Sequence, residues 1–176
     1  MPPRWRFSPA SPHNMGVSWL RFLMLLCLIA WLGGLIFFPV VAETAFAIVS
    51  DRALAGSLVG RCLVFLDRMG MIAGVVFLLC SLASNRLAGG RFRPFGFLHL
   101  LILLMLGLTL TSEFAIIPRM DRLRAKVGGE MSSVPLENPV RAEFDALHRW
   151  STRAEGGVLL LGLAVVYLTS RRLPFA

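Results

Sequence analysis

The sequence predicts an all-α integral membrane protein, an antiparallel four-helix bundle, and three observations carry that expectation. The 176 residues are 56% hydrophobic with a mean hydropathy of +0.71, more apolar surface than a soluble domain of this size can bury, so the excess must face lipid. The apolar residues fall into four separate runs, each long enough to cross a bilayer if its polar flanks are included. The net charge of +8 is scattered in ones, twos and threes beside those runs. That is the pattern of charges flanking membrane spans and not the clustered basic face of a nucleic-acid binder.

Residues 1–15 are rich in proline and polar side chains with nothing periodic to bury, and read as a flexible tail. The first span is expected over about 19–49. Its charge-free stretch, Phe22–Ala42, covers about 31 Å as a helix at roughly 1.5 Å per residue, close to a hydrocarbon core of about 30 Å. A cleaved signal peptide is the rival, but its apolar region would be shorter. Gly33 and Gly34 offer a close approach to a neighbouring helix, and Pro39 removes one helical hydrogen bond.

The second span, about 56–85, is charge-free only from Met69 to Ser84, so it must borrow the preceding turns and carry Asp67 and Arg68 towards the membrane. A short loop, Asn85–Pro94, with three arginines and a Gly-Gly pair, leads into the third span, about 94–119. Thr109, Ser112 and Glu113 share one face of that span, and Pro118 closes it. The connection to about Glu143 has the glycines, serines and prolines of an exposed loop. The fourth span, about 143–170, has an apolar part of only Gly156–Thr169, so the His148–Glu155 lead-in must enter or touch the bilayer. Residues 16–172 thus form one domain, with a C-terminal tail at 173–176, and the closing stretch Thr169–Ala176 is basic through Arg171 and Arg172.

Helices that alternate direction bring the end of span one, the start of span two, the end of span three and the start of span four to one membrane face. The candidate polar cluster there is Glu43, Asp67, Glu113, Arg119, His148, Ser151 and Glu155. His148, Ser151 and Glu155 follow i, i+3, i+7 spacing and line one stripe. Lys and Arg in the short connections place both termini and the 85–94 loop on the cytoplasmic side. The long third loop also carries basic residues, which weakens the asymmetry.

WLGGLIFFPVVAETAF in span one, IIPRMDRLR closing span three and FDALHRWS opening span four resemble the bacterial members of the transmembrane protein 205-like family. The resemblance covers most of Trp19–Leu168. The Leu147–His148–Ser151 step together with Pro118 carries more of it than any apolar run. It implies a small four-helix protein of the bacterial inner membrane with undefined biochemistry and no established catalytic residues. At Glu155 the family often has an amide, so no shared role is inferred for that position.

Function is read from the residues alone. The first reading is a non-enzymatic accessory or assembly protein whose polar groups tie helices together and whose partner is another membrane protein or a second copy. The alternative is transport or ion handling, with Glu113, His148 and Glu155 as titratable groups for a proton, metal ion or small solute. Histidine and carboxylates could ligate a metal, but no spacing motif supports it, and no cofactor is expected. A bis-histidine haem is disfavoured because His99 and His148 start different antiparallel spans and fall near opposite faces. No nucleophile elbow or triad accompanies Ser151 and His148. Cys27, Cys62 and Cys80 lack metal or redox spacing, and Cys27 and Cys80 read as small hydrophobes.

Overall fold

The computed structural model describes residues 12–87, 96–128 and 131–171. Within them lie four long helices: α1, Pro12–Ile48, α2, Arg52–Leu87, α3, Phe97–Lys126, and α4, Pro139–Ser170. A short 3-10 turn, Met131–Ser133, precedes α4. No strand occurs among the described residues. All four helices are long and apolar enough to cross a membrane, and the protein is a multi-pass membrane protein. Of the tail expected over 1–15, residues 12–15 are instead the first turn of α1, while residues 1–11, the 88–95 part of the expected arginine-rich loop and the last five residues lie outside the described part.

Helix boundaries follow from capping. Asp51 accepts hydrogen bonds from the amides of Ala53 and Leu54 at 2.8 and 3.1 Å, which starts α2 at Arg52 rather than near 56 and leaves a tight α1–α2 connection. Asn138 accepts from the Val140 amide at 2.9 Å with Pro139 in the first turn, so α4 begins at Pro139 rather than near 143. The third span also runs past Pro118, where the sequence suggested it would end. A π turn over Ser112–Ile116 precedes the proline, and the Ile117 amide reaches back to the Ser112 carbonyl. Shifting the hydrogen-bond register at that point lets the chain absorb a residue without a donor and stay helical to Lys126.

The core is built around Trp31, 2% exposed, in the middle of α1. Its indole fills the space that a side chain at Gly70 or Gly74 of α2 would occupy, and Leu32 does the same at Gly162 of α4. Gly34 admits Leu66 and Met69, whereas Gly33 has nothing near it. Of the two glycines read as a close-approach pair, one serves. Phe77, Ile102, Met105, Val158 and Val165 complete this core. A second, smaller cluster, Ile116, Met120, Leu123 and Phe144, joins the end of α3 to the start of α4.

Outward-facing side chains are overwhelmingly large and apolar, including Ile29, Ile36, Phe65, Ile72, Phe114 and Leu160, which suits an acyl-chain environment. On α4, exposed Trp150 and Tyr167 each carry an arginine against the ring, Arg153 and Arg171, at 5.4 and 5.7 Å. Aromatic rings and arginines mark headgroup levels. They lie about 25 Å apart along the helix axis at 1.5 Å per residue, a distance that matches a hydrocarbon core.

Candidate functional site

About 8 Å inward from the Trp150 level, at the rise of an α-helix, α2, α3 and α4 bring their polar side chains together. Asp67 of α2 is 2% exposed, Ser112 of α3 is fully buried and Glu113 is 7% exposed. The Ser112 hydroxyl lies 3.3 Å from Glu155 Oε1 of α4. Asp67 makes a side-chain hydrogen bond with Ser112 and comes within hydrogen-bonding reach of Glu155. Arg68 Nε donates to Glu113 Oε1 at 2.9 Å. Asp67 Oδ2 and Glu113 Oε2 are buried without a hydrogen-bond partner.

The π turn has a direct role in this arrangement. Ser112 and Glu113 are its first two residues, and both point inward, Ser112 to α4 and Glu113 to α2. The site therefore joins three helices through side chains from one altered turn. Turns of this kind recur at functional sites because they redirect side chains without ending the helix.

Glu155 also lines a cavity of about 490 Å³ whose walls come from the later turns of α1 and α3 and the earlier turns of α2 and α4. Its walls are mostly apolar, among them Leu35, Phe38, Phe46, Leu63, Met120 and Leu159, while Ser151, Thr152 and His148 form a polar strip on α4. Arg124 and Asp121 stand at its outer part, paired at 3.5 Å, with the Arg124 guanidinium 5.1 Å from the Phe144 ring centre. Phe144 in turn stacks with His148 at 6.5 Å between ring centres.

The seven residues expected to cluster thus separate into groups. Asp67, Glu113 and Glu155 meet in the buried site. Ser151, 4% exposed, and His148, exposed, share the cavity with Glu155. Arg119 turns to Glu143, with contacts of 2.8 and 2.7 Å, and forms an exposed pair of its own. Glu43 is exposed on the last turns of α1. Arg68, Ser112, Arg124 and Asp121 belong to the site or its cavity and were not in the expected set. Ser112 was signalled by sharing a face with Glu113, and Arg68 by its place beside Asp67. Arg124 and Asp121 sit in a charged run that gives no sign of facing inward.

At the other membrane face, His99 is buried with its Nε2 3.1 Å from Ser81 Oγ, joining α3 to α2. His99 and His148 therefore occupy opposite ends of the bundle. Among the described residues no group of three His, Cys, Asp or Glu side chains has an arrangement that could hold a metal ion.

The model of a family described as "Domain of unknown function (DUF4149)" matches residues 26–128. The chain belongs to the DUF4149 family. No curated protein and no solved structure matches it. The DUF4149 match covers most of α1 and all of α2 and α3, so it contains Asp67, Arg68, Ser112 and Glu113. It stops before α4, which supplies His148, Ser151 and Glu155.

Proposed function

We propose that this DUF4149 protein handles an ion or small solute within the membrane, with the Asp67–Ser112–Glu113–Glu155 site as its binding element. One observation carries the reading: Glu155 lies in the wall of a cavity of about 490 Å³ and meets a site in which two buried carboxylates keep oxygens without partners. Buried carboxylates in a bilayer are costly. A bundle that only needed to hold itself together could use the Ser81–His99 type of contact throughout, without three acids at one level. Carboxylates beside a cavity are instead suited to exchanging a proton or cation with the outside.

Hydrogen bookkeeping supports exchange. Ser112 brings one hydroxyl hydrogen to a triangle in which Ser112, Asp67 and Glu155 all approach one another. That hydrogen satisfies one of the three contacts, and the Asp67–Glu155 contact joins two acceptors that it cannot reach at the same time. The missing hydrogen comes from a carboxylic proton or from a donor that enters through the cavity.

The proposed setting is the bacterial inner membrane with both termini cytoplasmic, as the arginine-rich short connections favour. The cavity then lies in the outer half of the bundle. The resemblance to the transmembrane protein 205-like family is compatible with this but adds no reaction. Reconstituted vesicles carrying a pH-sensitive dye test the function. The wild-type chain should pass a proton flux that Glu155→Gln abolishes, while helical content and elution volume stay the same. Equal flux in the two proteins, or none above empty vesicles in either, would refute it. Labelling of a cysteine placed at the exposed Ser133 should occur from outside intact cells only; labelling from inside reverses the orientation.

A second reading, an accessory or assembly protein, draws on the fact that Arg68–Glu113, Ser81–His99 and Ser112–Glu155 each link two helices. Its partner would be another membrane protein or a second copy. Loss of folded protein in both Glu113→Ala and Glu155→Ala, with no flux in wild type, would favour it.

A further inference from the structure

The site beside the cavity is unbalanced in charge. Facing it from α2 are Asp67 and Arg68, from α3 Glu113, and from α4 Glu155, so three carboxylates oppose one guanidinium. Nearer the mouth, Asp121 and Arg124 of α3 neutralise one another, and His148 of α4 stands beside Ser151. The α1 wall, including Leu35, Phe38, Pro39 and Phe46, adds no charge.

An occupant must complement three features at once. Asp67, 98% buried on the 2% exposure given above, keeps Oδ2 without a partner although it lies in the middle of the site, and Glu113 keeps Oε2 in the same condition. The acceptors call for a cation or a hydrogen donor. A bare divalent metal is a poor match, because the described residues offer no three-ligand geometry. The cavity leading to Glu155 is large and chiefly apolar, with Phe38 and Phe46 in its walls, so the cation should carry an apolar body. Its size falls in the range of small-molecule sites, about 300–1,000 Å³, and aromatic faces favour positive charge.

We propose that the cavity binds a lipophilic organic cation whose positive centre docks on Glu155, in competition with the proton that completes the Asp67–Ser112–Glu155 triangle. This rests on the reading of the cavity as a solute or ion site. Glu155 alone of the three acids lines the cavity, so it meets the ligand, while Asp67 behind it meets the proton. Binding therefore releases the proton that Asp67 and Glu155 share into the cavity, whose α4 wall carries Ser151 and His148, and acidification weakens binding because that proton neutralises the Glu155 charge that the cation needs.

The test uses the full chain in lipid nanodiscs with tetraphenylphosphonium, and with tetraphenylborate as a probe of the same shape and opposite charge, each corrected for partition into empty discs. Saturable binding of the phosphonium, weaker at lower pH, is expected, with no saturable binding of the borate. Glu155→Gln should lower the affinity about tenfold or more, the loss of one charge-assisted contact. Asp67→Asn should keep binding while flattening its pH dependence, and Glu43→Gln, outside the cavity, should change neither. Equal binding of the borate, unchanged phosphonium affinity in Glu155→Gln, or no saturable phosphonium binding would each overturn the proposal. If Glu155→Gln does not fold, the wild-type pH profile and the borate comparison decide. Proton flux that Glu155→Gln abolishes, in a protein that binds no phosphonium, rejects the ligand class and keeps the ion-handling reading. Absence of both rejects both.

Discussion

Two ion pairs of similar length in this bundle should differ several-fold in their worth. Arg68–Glu113 spans 2.9 Å and Arg119–Glu143 spans 2.7 Å. The Glu113 side chain is 5% exposed, against 41% for Glu143. Arg68 has 66% of its side chain uncovered, so the difference between the pairs rests on the burial of Glu113, whose neighbour in the site, Asp67, is 2% exposed. Arg68→Ala leaves a buried carboxylate whose other oxygen already lacks a partner. Breaking such a pair from one side costs about 3–5 kcal/mol. Arg119→Ala removes an exposed pair worth about 0–1 kcal/mol. Unfolding of the purified protein in mixed micelles, followed by circular dichroism against denaturing detergent, compares the two. The expected gap is about 3 kcal/mol, and added salt should narrow the Arg119 effect while leaving that of Arg68. The double variant Arg68→Met with Glu113→Leu should recover most of the loss, since apolar replacements remove both charges together. Equal effects of Arg68→Ala and Arg119→Ala would refute the placement of Glu113 in a water-poor site.

Gly70→Ala should destabilise the bundle relative to Gly33→Ala by about 1–3 kcal/mol, the usual cost of overpacking, because Trp31 occupies the Gly70 space and nothing lies near Gly33. The gain in helix propensity is common to both and cancels in a side-by-side unfolding measurement. Asn138→Ala should cost about 1 kcal/mol through loss of the Val140 amide contact, and hydrogen exchange should show it as fraying of the first turn of α4 with the buried core unchanged.

The number and direction of the helices were legible because four apolar runs admit few other solutions in lipid. Their ends were less so. The starts of α2 and α4 depend on Asp51 and Asn138, single residues whose capping contacts lie outside any hydrophobic pattern. Continuation through Pro118 depends on a π turn that no spacing in the sequence announces. The site divides in the same way. The stripe of His148, Ser151 and Glu155 follows from helical periodicity, and so does the shared face of Ser112 and Glu113. The meeting of Asp67 with Glu155 requires α2 and α4 to present particular faces to each other, which is a property of the whole bundle. Glu43 and Arg119 show the limit of arguing from membrane depth. They lie towards the same end as the site but at different angles around the bundle, where Glu43 is exposed and Arg119 is held by Glu143.

The middle of the bundle and the end that holds the cavity are made differently, and the difference explains why the cavity lies where it does. At the level of Trp31 and Leu32, glycines on α2 and α4 remove side chains and bring α1 against both helices, as Gly70, Gly74 and Gly162 show. Beyond Leu35 the matching feature is proline. Pro39 in α1 leaves the Leu35 carbonyl without its helical donor, and Pro118 follows the π turn in α3. Leu35, Pro39 and Ile117 all line the cavity. Glycine therefore brings the helices together at mid-bundle where the core is tightest, and proline accompanies the cavity at one end. Glu155 lies about 10 Å along α4 from Gly162 at the rise of an α-helix, away from the close contact of Leu32 with Gly162. A side chain at Gly162 would meet Leu32, whereas Glu155 keeps one side on the cavity. At its actual position the carboxyl touches the cavity on one side and Asp67 and Ser112 on the other, which is the placement that a group exchanging a proton for a second cation requires.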